Sequence, residues 1–384
     1  MGRLHDNEES TVMSNFIPVN EPLLDGNEKK YLIECIDSGW ISSDGPFVSR
    51  FEREFSARLG RKYGIAVSNG TAALDIAVEA LELGRGDEVI VPTFTIISCL
   101  QQIIRAGATP VLVDSDPLTW NMDVTQIEEK ITPRTKAILA VHIYGLPVNM
   151  APILSLAEKH GLRVIEDAAE AIGQTYHQSF CGSFGDISTV SFYPNKHVTT
   201  GEGGMILTDD SELAEKCRSL RNLCFQENRR FLHARMGWNY RMTNIQAAIG
   251  VAQLERLDTF VEKKRWIGRT YNELLSCLPF IQLPLPSTGY AENIYWVYGV
   301  VLRDPQMRAA EVISKLERLG VGCRPFFYPM HRQPVFLDRG LFHGGSFPVA
   351  DNLSEMGLYI PSGLGLNEHT ITQVARAMKM VFSM

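Results

Sequence analysis

Lys196 is the residue whose type and surroundings point most directly to chemistry. It lies in a turn, residues 191–204, that is rich in glycine and threonine and follows an apolar run. A free lysine amine has a pKa of about 10.4, so a nucleophilic lysine needs a partly desolvated pocket or a bond to an aldehyde. Most loop lysines are solvated surface residues, so the neighbouring motifs must show whether Lys196 is catalytic. The turn predicts a lysine that can form an imine.

Asp167, 29 residues earlier, could complement such a lysine. It ends the apolar segment 163–167, which is typical of a buried strand, and open parallel sheets bind ligands at the carboxyl ends of their strands. A buried carboxylate needs a compensating cation, and a protonated pyridine nitrogen supplies one while it makes that ring an electron sink. The alternative is that Asp167 caps a helical turn at 168–171. Lys196 and Asp167 together predict a pyridoxal phosphate site.

A small-residue turn containing Gly70 and Thr71 leads into the helical pattern 72–83. The free N–H groups and the positive end of a helix dipole bind phosphate, glycine allows close backbone approach, and threonine adds a hydroxyl. The alternative is an ordinary capped helix start. Beside Lys196 and Asp167, this turn predicts the phosphate-binding element.

Four motifs occur in order along the chain and resemble the nucleotide-sugar aminotransferases of the DegT type. They are the segments 68–71, 166–170, 191–204 and 237–248. The resemblance extends from about residue 17 to the C-terminus. It implies a fold-type I pyridoxal phosphate-dependent transferase, usually a homodimer with both active sites at the subunit interface. It also implies that L-glutamate donates the amino group and that a keto group on a nucleotide-linked deoxysugar accepts it.

The resemblance also implies roles for individual residues. Lys196 would bond to the cofactor aldehyde and carry the proton during transamination, and Asp167 would pair with the ring nitrogen. Related sugar dehydratases have histidine in place of this lysine, so a dehydratase is disfavoured. The adjacent His197 should point away from the site, because it is one residue further along, and we interpret it as a structural or rim residue. The other implied cofactor contacts are Gly70, Thr71 and Ser191 at the phosphate, Asn239 at the neighbouring subunit's phosphate, and Glu170 near the cofactor hydroxyl.

Ile96 departs from the family pattern. Members often have an aromatic residue at this position, stacked on the pyridine ring. An aliphatic side chain can still pack on the ring, but it lacks a stacking contribution of about 0.5–1.5 kcal/mol. Ile96 therefore predicts looser cofactor retention.

Arg324 and His331 are the candidate substrate contacts. An arginine suits a diphosphate, and a histidine suits a sugar hydroxyl or a diphosphate oxygen. Without the resemblance, Arg324 could be a surface strand residue and His331 a turn residue. The basic and aromatic segment 225–235 is either a mobile flap that meets the diphosphate or a solvated helix face.

Local similarity also bears on the substrate. The segments that most resemble the perosamine synthases of this family are 39–43, 113–122 and 323–331. Those enzymes transfer an amino group to C4 of GDP-4-keto-6-deoxymannose. The resemblance therefore implies a role in amino-sugar synthesis for O-antigen or other surface polysaccharide. Related aminotransferases that act on UDP- or dTDP-linked ketosugars share many of the same residues, so those substrates stay open.

Two other classes of protein also stay open. A regulator could retain a cofactor-like pocket without turnover, because fold does not determine function. A decarboxylase or lyase acting on a free amino acid would share Lys196 and Asp167, but it should present an arginine to the α-carboxylate. The family resemblance disfavours both.

The composition of the chain argues against several classes of protein. The net charge of −7 and the pI of about 5.8 argue against nucleic-acid binding. No apolar run has the length of a transmembrane span, and the N-terminus lacks a signal-peptide core. The seven cysteines are scattered without Cys-x-x-Cys pairs, which predicts reduced thiols of a cytoplasmic protein and neither a metal site nor disulfides.

These residues need a scaffold that brings strand ends together. Residues 1–14 are polar and without periodicity, which predicts a disordered leader. The chain then has an α/β pattern, with apolar strands separated by helical stretches such as 151–160, as in a mainly parallel sheet flanked by helices. We expect a large cofactor-binding domain at 15–250 and a smaller C-terminal α/β domain at 251–384, with a long helix over 246–275. The predicted buried strands are 87–92, 109–114, 136–144, 163–167 and 187–192.

Overall fold

Strands and helices alternate along the first half of the chain, as the apolar pattern predicts. The computed structural model describes residues 16–226 and 228–382, so the predicted leader at 1–14 lies outside the described residues. The strands are β1 (Tyr63–Val67), β2 (Glu88–Pro92), β3 (Thr109–Val113), β4 (Thr135–Val141), β5 (Arg163–Asp167), β6 (Thr175–Tyr176), β7 (Ser179–Phe180), β8 (Ile187–Ser191), β9 (Gly204–Thr208), β10 (Ile281–Gln282), β11 (Tyr298–Leu302), β12 (Arg324–Pro325) and β13 (Gly357–Ile360). The helices are α1 (Glu28–Ser38), α2 (Pro46–Leu59), α3 (Gly70–Ala80), α4 (Ser98–Arg105), α5 (Met150–His160), α6 (Ser211–Arg221), α7 (Asn244–Leu254), α8 (Leu257–Leu275), α9 (Ala309–Arg318), α10 (Pro334–Leu337), α11 (Pro348–Met356) and α12 (Glu368–Phe382).

Seven strands form the main sheet in the order β1-β9-β8-β5-β4-β2-β3. Strands β8, β5, β4, β2 and β3 are parallel to their neighbours in that order, whereas β9 is antiparallel to both β1 and β8. All five predicted buried strands are present. Because β5 and β8 are adjacent and parallel, their carboxyl ends meet at one edge of the sheet, where Asp167 and the turn after Ser191 lie.

Helices cover both faces of this sheet, which explains why strands such as β2 and β4 are apolar on both faces. In β2, Val89 and Val91 belong to a hydrophobic cluster with α3, whereas Ile90 belongs to another cluster with α5. Successive side chains of a strand point to opposite faces, so one short apolar segment contributes to both clusters.

A second sheet, β10-β11-β13-β12, is antiparallel and lies in the C-terminal part of the chain with α8, α9 and α12. Near the N-terminus, Ile17 forms a parallel bridge to Val321 of this part. The predicted domain boundary at residue 250 stays a prediction.

The single helix predicted over 246–275 is wrong, because α7 ends at Leu254 and α8 begins at Leu257. Between them Glu255 accepts hydrogen bonds from Tyr31 Oη at 2.6 Å and from Asn27 Nδ2 at 2.7 Å. These contacts attach the junction to α1, and the backbone of Arg256 leaves the helical region at φ −113° and ψ 5°. Helical propensity alone did not reveal this tertiary constraint.

No helix among residues 16–226 and 228–382 is both long enough and apolar enough to cross a membrane.

Candidate active site

A cleft of about 650 Å³ opens at the carboxyl ends of β5 and β8. The N-terminus of α3 forms part of its wall. Of the sequence-predicted residues, the cleft brings together Gly70, Thr71, Ile96, Asp167, Glu170, Ser191 and Lys196. Residues up to 126 positions apart therefore meet at one point.

Lys196 enters this cleft from the turn after β8, with its side chain only 10% exposed. Its Nζ lies 3.9 Å from Oε1 of Glu170 and 3.7 Å from the centre of the Trp296 ring. Burial lowers the pKa of Lys196, while the carboxylates of Glu170 and Asp167 oppose that shift. A lowered pKa is what a lysine needs to act as a nucleophile and proton carrier.

Glu170 is the acidic partner of this amine. Its Oε2 accepts a hydrogen bond from the backbone N–H of Tyr144 at 2.9 Å, which holds the carboxyl group in place. Burial raises the pKa of Glu170 to about 7, and the positive charge of Lys196 opposes this rise. Burial thus moves the pKa values of Glu170 and Lys196 toward each other.

Asp167 ends β5 and is 4% exposed. Its Oδ1 accepts a hydrogen bond from the N–H of Ala169 at 3.0 Å, and its Oδ2 accepts one from Sγ of Cys99 at 3.3 Å. Burial raises the pKa of Asp167 despite these bonds. The alternative that Asp167 caps a helical turn at 168–171 is partly right, because Asp167 accepts a hydrogen bond from the N–H of Ala169. A turn follows Asp167, however, and no α-helix begins there. A cation placed in the cleft would stabilise the ionised carboxylate.

The N-terminus of α3 forms a close-fitting cradle beside β8. Asn69 caps the helix by accepting from the N–H of Ala72 at 2.8 Å, so the capped-helix interpretation is correct as well. A Cβ atom on Gly70 would lie 2.8 Å from Cβ of Ser191, closer than such atoms approach. Only glycine thus lets the helix N-terminus lie this close to Ser191.

Three predicted residues lie outside this cleft. Asn239 is exposed, and its backbone bridges to Asn222. Arg324 is exposed in β12 and lines a smaller cleft of about 260 Å³, which shares Tyr193, Asn195 and Tyr359 with the first. Arg324 therefore lies beside the site.

His331 is 8% exposed, and both of its ring nitrogens have partners. Nδ1 lies 2.8 Å from Oγ1 of Thr93, and Nε2 lies 3.1 Å from Oδ1 of Asp351. Its role as a sugar contact stays a prediction that this arrangement does not support.

Several residues of the cleft were not found from the sequence. Trp296 lies over Lys196, and its Nε1 donates to the carbonyl of Asn195 at 2.8 Å. Thr189 lines the cleft with a buried Oγ1 that has no partner among the described residues. In the sequence, residues 295–302 form only an apolar and aromatic pattern typical of a strand, which does not show that Trp296 would contact Lys196.

Glu166 precedes Asp167 in β5, so its side chain points to the opposite face of the sheet, away from the cleft. There it belongs to a separate buried cluster with His142 and Cys181. Its carboxylate accepts from His142 Nε2, the N–H groups of Gly182 and Phe184, and Oγ of Ser188, at 2.6–2.9 Å. These donors occupy the carboxylate, so we interpret the cluster as a structural network.

The residues of the cleft fit pyridoxal phosphate. The anion-binding end of α3, the buried carboxylate of Asp167, the amine of Lys196 and the unpartnered hydroxyl of Thr189 all face one space. When bound, pyridoxal phosphate supplies an aldehyde for Lys196 and a ring that takes up the electron pair released at the substrate carbon. The individual residue roles stay predictions.

One of these roles can be tested at Ile96, which lines the cleft and is 44% exposed. We expect Ile96→Tyr to bind pyridoxal phosphate about 2- to 10-fold more tightly, because an aromatic ring adds stacking of about 0.5–1.5 kcal/mol. Titration of the apoprotein measures this affinity, and Ile96→Val, which adds no ring, is the control. An affinity of the unchanged protein that equals or exceeds that of Ile96→Tyr would show that Ile96 does not loosen cofactor binding.

Comparisons with known proteins agree with this arrangement. Residues 22–379 match the DegT/DnrJ/EryC1/StrS aminotransferase family. The chain is 45% identical over 372 residues to the GDP-perosamine synthase of Caulobacter vibrioides, covering 95% of this chain and 98% of that protein. It is 42% identical over 368 residues to the GDP-perosamine synthase of Escherichia coli O157:H7, covering 96% and 99%.

Solved structures agree as well. The aminotransferase TlmJ from Streptoalloteichus hindustanus superimposes with a TM-score of 0.89 at 30% identity, covering 96% of this chain and 99% of that one. The predicted fold class, the pyridoxal phosphate cofactor and the aminotransferase activity are therefore confirmed. The chain belongs to the DegT/DnrJ/EryC1/StrS aminotransferase family.

Proposed function

We propose that this enzyme transfers the amino group of L-glutamate to the C4 keto group of GDP-4-keto-6-deoxy-D-mannose and produces GDP-perosamine. The observation that carries the substrate assignment is the identity of 41–45% to three GDP-perosamine synthases over nearly the whole chain. The product would supply an amino sugar for surface polysaccharide such as O-antigen.

Within this proposal, Lys196 moves the proton. Its Nζ takes a proton from the carbon that carries the donor amino group and later delivers one to the carbon of the acceptor sugar. Glu170, 3.9 Å away, can hold a proton while the amine is neutral. Asp167 keeps the cofactor ring nitrogen protonated, and the N-terminus of α3 anchors the phosphate.

The neighbouring cleft at Arg324 would receive the nucleotide side of the substrate. It joins the cofactor cleft through Tyr193, Asn195 and Tyr359, so a sugar at Lys196 can extend into it. The guanidinium of Arg324 donates only to the adjacent carbonyl of Cys323, at 2.9 Å, among the contacts of the described residues. It can therefore turn toward a diphosphate, whose geometry suits an arginine fork.

The deciding experiment is a mass spectrum of the nucleotide sugar after incubation with the protein, pyridoxal phosphate and L-glutamate. GDP-4-keto-6-deoxymannose is compared with UDP- and dTDP-linked ketosugars, and the control omits glutamate. A keto-to-amine mass change with the GDP sugar alone supports the proposal. Amination of a UDP or dTDP sugar instead would assign the enzyme to that substrate. Amination of none of them would overturn the substrate assignment.

We also propose that two chains form a homodimer with active sites between them. Asn239 is exposed and outside its own cleft, so its predicted phosphate contact requires a neighbouring chain. Large apolar side chains are exposed as well, including Trp40 at 50%, Phe231 at 83% and Met236 at 93%. Exposed apolar surface of this kind often marks a protein interface.

A mixed-dimer experiment tests this arrangement. Lys196→Ala and Asn239→Ala should each be weakly active alone, but after joint refolding a mixed dimer has one site with both native residues. Since half of the dimers are mixed and half of their sites are intact, we expect about a quarter of the unchanged activity. The control is refolding of each variant with itself. No gain over the controls, with mixed dimers shown by tagged subunits, would contradict the shared site.

We propose a cytoplasmic location, because all seven cysteines are unpaired and six of them are buried. Free thiols persist where glutathione and thioredoxin keep them reduced.

A further inference from the structure

The thiol of Cys99 contacts the carboxylate that is proposed to pair with the cofactor ring. Sγ lies 3.3 Å from Oδ2 of Asp167, and Cys99 is fully buried in the first turn of α4. Cys99 does not line the cleft. It therefore cannot touch a substrate, and any effect it has on the reaction must pass through Asp167.

The direction of this hydrogen bond follows from its acceptor. An ionised carboxylate has no proton to donate, so the thiol must be the donor. On its other side, Sγ lies 3.3 Å from Oγ1 of Thr95. Since the thiol proton points to Asp167, the hydroxyl of Thr95 donates to the sulfur. A directed chain of hydrogen bonds thus runs from Thr95 through Cys99 to Asp167.

The two carboxylate oxygens of Asp167 are held from different sides. Oδ2 accepts from Cys99, and Oδ1 accepts from the N–H of Ala169 at 3.0 Å. Two donors on separate oxygens stop the carboxylate from rotating about its Cβ–Cγ bond. The charges in the cleft that act on Asp167 are those of Lys196, which favours its ionised form, and of Glu170, which opposes it.

We propose that Cys99 is a positioning residue whose thiol donates to Asp167 and holds the carboxylate in the orientation that receives the cofactor ring nitrogen. The proposal rests on the role proposed above for Asp167. We expect the protein with this thiol to bind pyridoxal phosphate more tightly than a variant without the donor.

Three substitutions separate this role from simple packing. Cys99→Val has a similar size but no donor, so we expect pyridoxal phosphate to bind roughly 5- to 30-fold more weakly, the usual cost of leaving a buried acceptor without its donor. Cys99→Ala should weaken binding similarly. Cys99→Ser keeps a donor, and a hydroxyl donates more strongly than a thiol, so its affinity should equal or exceed that of the unchanged protein. A packing role predicts the opposite order, with Val tolerated and the small, polar Ser harmful.

The hydrogen bond itself can be observed without the cofactor. The infrared S–H stretching band of Cys99 is isolated by subtracting the spectrum of the Cys99→Ser apoprotein from that of the unchanged apoprotein. We expect a band at lower frequency than that of an unbonded thiol, because a carboxylate is a strong acceptor. The band should move to higher frequency in Asp167→Asn, whose amide oxygen is a weaker acceptor.

The outcomes are distinct. A band at the frequency of an unbonded thiol, or Cys99→Val binding the cofactor as tightly as the unchanged protein, would overturn the proposal. If the unchanged protein bound no pyridoxal phosphate, the proposed function would fail, while the infrared band would still report whether Cys99 donates to Asp167. Thermal unfolding of each apoprotein shows whether a change in affinity comes from loss of the fold.

Discussion

Replacement of Lys196 by alanine is expected to remove amination of the nucleotide sugar, with a loss of at least roughly 10²- to 10⁴-fold. A positioned proton-transfer group typically contributes that much, and the bond to the cofactor is lost as well. The fold should survive, because Lys196 lies in a turn at the edge of the cleft, and Glu170 keeps its hydrogen bond from the backbone N–H of Tyr144 when the amine is removed. Initial rates of sugar amination measure the loss.

Two further measurements make this result specific to Lys196. Borohydride reduction in the presence of pyridoxal phosphate should modify the peptide that contains Lys196 and no other peptide, as seen by mass spectrometry. Lys159→Ala, which removes a lysine whose side chain is 62% exposed, is the control and should retain full activity. Modification of a different lysine, or an active Lys196→Ala enzyme, would show that the amine has been assigned to the wrong residue.

The second large effect is expected for Asp167→Asn. An amide cannot balance the positive charge of the ring nitrogen, so we expect amination to fall by at least roughly 10²-fold, the lower end of the cost of breaking a buried ion pair. The affinity for pyridoxal phosphate should fall with it. Rates and cofactor titration measure the two losses.

The stability of the Asp167→Asn apoprotein should not fall, although its activity and its affinity for the cofactor should. Burial raises the pKa of Asp167 above its value in the unfolded chain, so ionisation of this carboxyl costs stability as the pH rises through that interval. Asp167→Asn has no such charge, and its apoprotein should unfold at an equal or higher temperature at neutral pH. A less stable Asp167→Asn apoprotein would show that the carboxylate is structural.

Glu166 is a matched control, because it is the adjacent carboxylate on the opposite face of β5. It accepts four hydrogen bonds from the protein, so Glu166→Gln should destabilise the apoprotein and change cofactor affinity less than Asp167→Asn does. Equal losses of affinity in both variants would mean that the effect of Asp167→Asn comes from damage to the sheet.

Much of the fold was predictable because its signals are local. The apolar segments that became β2, β3, β4, β5 and β8 are short and bounded by turn residues, which is the pattern of strands buried on both faces. Asp167 ends one of these strands, and Lys196 follows another. Since parallel strands end at the same edge, their order in the chain sufficed to predict a shared site.

Other features depend on contacts between distant segments, and local patterns carry little trace of them. The break between α7 and α8 arises where Glu255 is held by Tyr31, which precedes it by 224 residues. Trp296 reaches Lys196 from a segment that showed only a strand pattern. The ring nitrogens of His331 contact Thr93, which precedes it by 238 residues, and Asp351, which follows it by 20.

The sequence by itself therefore determined the fold class and the chemistry of the site, because strand periodicity, turn residues and residue types are properties of short segments. The tertiary structure alone decided which side chains contact each other within the site. The placement of Cys99 against Asp167, Glu170 near Lys196 and Gly70 against Ser191 depends on how separate strands and helices pack. Packing brings these residues within a few ångströms from positions far apart in the chain, and the direction of each side chain is set only when the neighbouring elements are in place.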